Sequence, residues 1–582
     1  MKRINSLFEA AFHDWASLRG YTKISFCIFA VIAGAAINSD VVSKTLRLDL
    51  FRLENDRRAP VDYGFGPGAG KGPARPNLVL GQTPAIPRSM RAAPKAGLGT
   101  IPIGGGAGGF FGPPFPWPII PIHMALLPDG RVLNYGTDET GAQGAQLKYD
   151  VWNPSLGIGS NAHAILPNGT STDIFCSAAS LIGEGPAVPT SLTSNVLITG
   201  GDLTIDGVRN YSNDKVNVFN PGNNTLTASG AMNYQRWYHS IITLRNGDKL
   251  ILGGKIGAIS LGMGVATPEL FHPASSLWTT LPGISISDWF YPKAFVGPDG
   301  GVTHLHSNGQ IFKFTTGGTG TMTDTGSLTT QGDDSYPSVM FANFNVLTVR
   351  GGQKAQIVDI SKSPPLVTAI PNLKYDRKWG NTTLLPDGEI LVTGGSAVDT
   401  SNINALTNVA YQAEIFDPVS QTWTLGASAA VPRLYHSATL LLPDGSVLTG
   451  GGGAPGPVNE LNAEIYYPAY LYLKDGSGNP APRPTIVAAP SRLYLGQNFW
   501  MTVGSNDQIA FINLIRVGSN THSFNPEQRL IPVPFTQSGT TIMGSVDPAA
   551  EKIPPGYYML FVFNTKGVPA VAKIISVPQA VP

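Results

Sequence analysis

Leu126-Leu127-Pro128-Asp129-Gly130-Arg131-Val132-Leu133 returns as Leu384-Leu385-Pro386-Asp387-Gly388-Glu389-Ile390-Leu391, and again as Leu441-Leu442-Pro443-Asp444-Gly445-Ser446-Val447-Leu448. Each copy reads as strand, tight turn, strand: two apolar runs separated by a Pro-Asp-Gly turn. Glycine pairs close several units, at 200–201, 253–254, 351–352, 394–395 and 450–451. A further strand, an aspartate-proline or histidine-proline step and a tryptophan follow, as in Ala413-Glu414-Ile415-Phe416-Asp417-Pro418 with Trp423, and Pro268-Glu269-Leu270-Phe271-His272-Pro273 with Trp278. First strands fall near 122, 176, 238, 291, 336, 379 and 435, a spacing of about 43 to 62 residues. An all-β repeat of that period, with glycine pairs and a late tryptophan, predicts a seven-bladed kelch-type β-propeller over 119–482. After Tyr466-Tyr467-Pro468 the repeat stops. Short alternating strands such as Phe499-Trp500-Met501-Thr502-Val503 then predict an immunoglobulin-like β-sandwich over 483–582.

Outward from that body the chain changes character. Residues 39–118 are rich in Gly, Pro, Ala and Arg and read as a tether. Ile24 to Ile37 is an apolar run behind a basic leader, so residues 1–38 read as a secretory signal or an N-terminal membrane anchor, with the body outside the cytoplasm. Charged residues are 13% of the chain and the net charge is +1, which argues against a nucleic-acid partner. Only two cysteines occur, Cys27 in the apolar run and Cys176 in the body, so an internal disulfide framework is excluded. A lone thiol in an exported body is either an inert core residue or a group with covalent or metal chemistry.

Four stretches gather the residues capable of such chemistry: Asp173-Ile174-Phe175-Cys176, Arg236-Trp237-Tyr238, Arg433-Leu434-Tyr435-His436-Ser437 and Thr521-His522. One thiol, two phenols and two imidazoles form a set suited to copper. Tyr238, Tyr336, Trp379 and Tyr435 each stand 15 residues before the first glycine of their own pair, which predicts equivalent places at one mouth of the channel. His436 follows Tyr435 as His239 follows Tyr238, and adjacent residues of a regular strand face opposite ways. The pattern alone therefore leaves the two Tyr-His pairs undecided. His522, in the last domain, can join only if its loop reaches into the channel.

These stretches resemble the radical-copper oxidases, the galactose oxidase and glyoxal oxidase family, over roughly residues 119–582. The cysteine stretch, Arg236-Trp237-Tyr238, Tyr435-His436-Ser437, Thr521-His522-Ser523 with Asn525, Gln528, Arg529 and Ile531, and Pro555-Gly556-Tyr557-Tyr558-Met559-Leu560 all match the family's pattern in order. The resemblance implies one copper ion held by Tyr238, Tyr435, His436 and His522, with His436 rather than His239 as ligand. It implies a thioether between Cys176 and Tyr238 that carries a radical, and Tyr435 as the base. It further implies oxidation of a small aldehyde hydrate or primary alcohol by O2, with H2O2 as product, by a monomer. Galactose-active members carry a tryptophan two residues after the glycine pair of the cross-link blade, where this chain has Ile256 in Gly253-Gly254-Lys255-Ile256. They also begin with a sugar-binding domain, where this chain has the tether. Both departures favour a glyoxal oxidase-like, anchored enzyme. Tyr336 or Trp379 is then the candidate to shield the radical. A kelch-like scaffold and a glycan-binding envelope protein are the non-catalytic alternatives; neither needs the five-residue set.

Overall fold

The structure is a computed structural model that describes residues 100–205, 208–258, 262–401 and 406–579. The apolar run Ile24 to Ile37 and most of the expected tether lie outside them. Among the described residues no helix is long and apolar enough to cross a membrane.

The described chain is all-β, with only short 3-10 turns between strands. Its first part forms seven successive antiparallel groups, most of four strands each. Two of the seven share one nine-stranded sheet through the long strand Thr225–Thr243. Its first half pairs back with Val208–Asn220, and Trp237 onward pairs forward with Lys249–Ile256. The recurring turn explains the hairpins. Pro128 presets the first central position, Gly130 takes the left-handed φ of +84°, and the Asp129 carboxylate accepts the Arg131 N–H at 3.1 Å. Gly388 and Gly445 repeat it at φ +100° and +82°.

First strands such as His123–Leu126, Ala178–Leu181 and Ser338–Phe341 are buried at every position, because neighbouring groups cover both faces. Outer strands such as Thr321–Leu328 alternate, with one face in solvent. First strands of most neighbouring groups touch, and Ser437–Leu441 of the last group touches His123–Leu126 of the first. The last group takes its outer edge from the N-terminal side: Phe110–Phe111 and Phe115–Pro116 pair with Asn462–Tyr467. The end of the expected 39–118 tether is thus part of the folded body. Its Gly and Pro content hid three buried aromatics, Phe111, Phe115 and Trp117, and proline is tolerated on an edge strand.

Two four-stranded sheets follow, facing each other across one apolar core. Strand Gly556–Asn564 shows why its sequence is an unbroken apolar run. Tyr558, Leu560 and Val562 point into the sandwich core. Tyr557, Met559, Phe561 and Phe563 point the other way, into the core of the preceding body. From the same sandwich, strand Ser519–Thr521 crosses over and pairs with His123–Leu126, so that the His522 turn lies among the first strands.

Candidate metal centre

Five non-glycine residues at the starts of first strands have left-handed φ: Cys176 (53°), Tyr238 (66°), Tyr291 (41°), Trp379 (59°) and His436 (67°). Such a conformation is costly for residues with a Cβ and concentrates at functional sites. Backbone hydrogen bonds tie three of these positions in series, Tyr238 N–H to the Cys176 carbonyl at 3.1 Å and Tyr291 N–H to the Tyr238 carbonyl at 2.7 Å.

The strand register corrects the expected equivalence. The residue after Tyr238 lies opposite Gly253, but Ala438 lies opposite Gly450 and Ser437 opposite Gly451. His436, not Tyr435, therefore holds the place of Tyr238. Four consecutive glycines, 450–453, made the first of them a misleading marker. Tyr336 is displaced as well: it lacks the left-handed φ, and its hydroxyl accepts the Gly352 N–H at 2.9 Å. The turn at His436 also resolves the strand-parity problem. It folds the His436 ring onto the Tyr435 ring, centroids 3.7 Å apart, and both face the centre.

Cys176, His436 and His522 form a buried trio whose ligand atoms lie within 4.8 Å of one another. The Cys176 sulfur stands 3.8 Å from His436 Nε2 and 3.9 Å from His522 Nε2. The Tyr238 hydroxyl contacts the Tyr435 hydroxyl and lies 3.5 Å from His436 Nε2. Each imidazole is oriented from behind. His436 Nδ1 donates to the Gly453 carbonyl at 2.7 Å, and His522 Nδ1 meets the Thr521 hydroxyl at 2.6 Å. The His436 Nε2 lone pair is thereby left toward the centre, and His522 Nε2 lies beside it there, an arrangement suited to metal-binding histidines. Burial holds His436 down to about 3 and lowers His522 well below its ordinary value, so both rings are neutral and able to bind a metal. Burial raises Tyr238 and Tyr435 well above 10, so without a cation both keep their protons. Two neutral imidazoles and two phenols that a cation would convert to phenolates fit a copper ion.

His239 is outside this group. Its ring turns toward the neighbouring group, Nε2 2.8 Å from the Thr199 hydroxyl. Trp379 packs edge-on against Tyr435 at 4.6 Å, with its indole N–H on Asp399. Ile256 is half-buried at the end of its strand, paired with Met263. Two neighbours escaped the sequence reading. Phe290 stands edge-on to Tyr238 at 5.5 Å, and Tyr291 stacks on the His522 ring at 4.3 Å. The signal for them was Phe290-Tyr291-Pro292 at the head of the fourth, most degenerate repeat.

The chain is similar to several known proteins. Residues 483–577 match the family model "Galactose oxidase-like, Early set domain". Galactose oxidase of Gibberella zeae is 28% identical over 532 residues, covering 84% of this chain and 72% of that protein. Aldehyde oxidase GLOX of Vitis pseudoreticulata is 25% identical over 506 residues, covering 77% and 89%. A solved fungal alcohol oxidase in complex with copper superposes with a TM-score of 0.70 at 25% identity, over 81% of this chain and all of that one.

Proposed function

The chain belongs to the radical-copper oxidase family, and from that premise we propose that it oxidises a small aldehyde hydrate or a primary alcohol with O2, releasing H2O2. The observation that carries this reading is the convergence of the Cys176 sulfur, two Nε2 atoms and two phenol oxygens in one buried cluster, with both imidazoles fixed from their far sides.

Copper held by Tyr238, Tyr435, His436 and His522 would supply a one-electron acceptor beside a tyrosyl radical and a charge that lowers the phenol pKa. The chain's own residues do the rest. Cys176 and Tyr238 form a thioether: a sulfur–carbon bond replaces the S–H and a ring C–H, and the two protons and two electrons released pass to O2. A sulfur-substituted phenol is more electron-rich and gives up an electron more readily. Tyr435 accepts the substrate hydroxyl proton, and the Tyr238 radical takes a hydrogen from the adjacent carbon. Over a full turnover the substrate loses two hydrogens and O2 gains them as H2O2. Edge-on Phe290 and the Trp379–Tyr435 pair wall the two phenols.

The seven groups form a seven-bladed propeller, which the contact between its first and last inner strands supports, and the final two sheets an immunoglobulin-like sandwich. The body works outside the cytoplasm as a monomer, led there by the N-terminal segment. Small aldehydes are favoured over galactose because Ile256 offers no flat aromatic face to a sugar ring.

Metal analysis with intact mass tests the reading. Purified protein given Cu(II) and O2 should bind one copper per chain and become lighter by about 2 Da. It should then release peroxide from glyoxal or methylglyoxal. Protein that takes up no copper, with Cys176 still open to alkylation, would refute it.

A further inference from the structure

We propose that the Glu527 carboxylate is a positioning group for the copper site: it holds the strand behind Cys176, the strand behind Tyr238 and the turn bearing His522 at fixed separation. This rests on the copper reading above. Glu527 Oε1 accepts the Ser180 hydroxyl at 2.7 Å and the Thr243 hydroxyl at 2.6 Å. Ser180 lies four residues after Cys176 on Ala178–Leu181, and Thr243 five after Tyr238 at the end of Thr225–Thr243. The other carboxylate oxygen pairs with Arg516 Nε at 2.5 Å. Lys249 Nζ donates to the same two hydroxyls, at 2.9 and 2.8 Å, and to the Leu181 carbonyl at 2.7 Å. All five side chains are buried.

The arrangement matters because Ala178–Leu181 and Thr225–Thr243 are first strands of neighbouring groups and are not partners in a sheet. The sheet joins them only indirectly, through Val196–Thr199 and Val208–Asn220; where they face each other, beyond the single backbone hydrogen bond from Tyr238 to Cys176, side chains make the contact. An apolar rung would pack the two strands but would not reach the loop that brings His522. Glu527 does both, five residues after that ligand, with its own N–H capped by the Asn525 side chain at 3.2 Å. Other polar residues of the loop grip single groups: Asn520 the Thr439 carbonyl at 2.9 Å, and Gln528 the Leu384 N–H at 2.7 Å. Glu527 alone among them bridges the two strands that bear the thioether partners.

The test uses the full chain prepared without copper. Cu(II) affinity is read by competition with a chelator, the Cu(II) site by electron paramagnetic resonance, and cross-linking by the rate of mass loss after Cu(II) and O2 are added. Thr243→Val keeps shape and charge but removes one rung; it should slow cross-linking and weaken Cu(II) binding about tenfold, with an altered resonance spectrum. Thr243→Ser keeps the hydroxyl and should stay near wild type. Glu527→Gln should show at least the Thr243→Val effect, and if it does not fold, the Thr243 pair decides. Cross-linking at the wild-type rate with an unchanged spectrum in Thr243→Val, whatever the loss in Tm, overturns the positioning role. A wild-type chain that neither binds Cu(II) nor loses mass overturns the copper reading instead, so the two failures are told apart in the first arm.

Discussion

At the scale of single residues, backbone conformation decides which of two identical dipeptides turns both its rings to the centre. Tyr238 carries the left-handed φ and sends His239 into the sheet beside Thr199; in Tyr435-His436 the histidine carries it, and both rings reach the centre. His522→Ala and His436→Ala should each weaken Cu(II) binding by at least about tenfold, since the remaining donors are phenols and one imidazole. His239→Ala should retain the metal. Copper stoichiometry after dialysis measures this, and equal loss in all three would mean the ligand choice is wrong. The donor types were legible in the sequence; the left-handed turn that separates the two dipeptides was not, because nothing in Tyr-His marks it. The same scale governs substrate choice. Ile256 is aliphatic, and Phe290, one of the aromatic residues beside Tyr238, meets it edge-on rather than stacked. Glyoxal, methylglyoxal or glycolaldehyde should therefore give faster peroxide release than galactose at equal concentration. If galactose is turned over better than every small aldehyde tested, another aromatic has taken the stacking role, and Trp379→Phe should then lower galactose turnover while Ile256→Trp changes it little.

At the scale of elements, three groups carry the same clasp. Arg236, Arg377 and Arg433 stand near the starts of first strands and pair with Glu269, Glu414 and Glu464 on third strands, all buried. Each guanidinium also donates to a glycine carbonyl, Gly253 at 2.6 Å, Gly394 at 2.9 Å and Gly451 at 3.1 Å. The clasp fixes the strand start from which Tyr238, Trp379 and His436 project. Glu269→Ala leaves the Arg236 charge buried and unpaired, so it should cost roughly 3–5 kcal/mol, against about 0–1 kcal/mol for breaking the exposed Lys148–Glu139 pair. Urea unfolding at constant m-value measures both, and similar losses would contradict the clasp. Arg236 lies in a stretch quoted for the copper set and Glu269 in one quoted for the repeat. Their partnership was invisible there, because 33 residues separate them and only the sheet register brings them together. The Pro-Asp-Gly hairpins, by contrast, were fully legible, since every contact that makes them is local.

At the scale of the whole molecule, the sandwich is wedged into the preceding body by one strand with two buried faces and one loop among the first strands. The long-range pairing that seats His522 could be posed from sequence only as a condition, because the partner strand lies almost 400 residues earlier. The ionic heart of that junction gives it a pH signature. Burial alone would raise the Glu527 carboxyl, but Arg516, Lys249 and the two hydroxyls overcome this and hold it down at about 2, against an ordinary 4.5. A carboxyl with a depressed folded pKa stabilises above its unfolded pKa and loses that contribution as pH falls through the folded one. The contribution is roughly 3 kcal/mol at neutral pH, lost between about pH 4.5 and 2. Lys249, pushed down to about 7 by burial, is protonated in the folded and unfolded chain throughout that window and adds no slope there. The other acidic groups titrate alike in wild type and in Glu527→Gln, so they cancel in the difference. The stability gap between the two proteins should therefore be widest near pH 6 and should narrow steadily as pH falls below 4.5. Calorimetry on copper-free protein at several pH values reads this gap directly. A gap that stays constant from pH 6 to pH 3 would show that Glu527 is not held ionised at the junction.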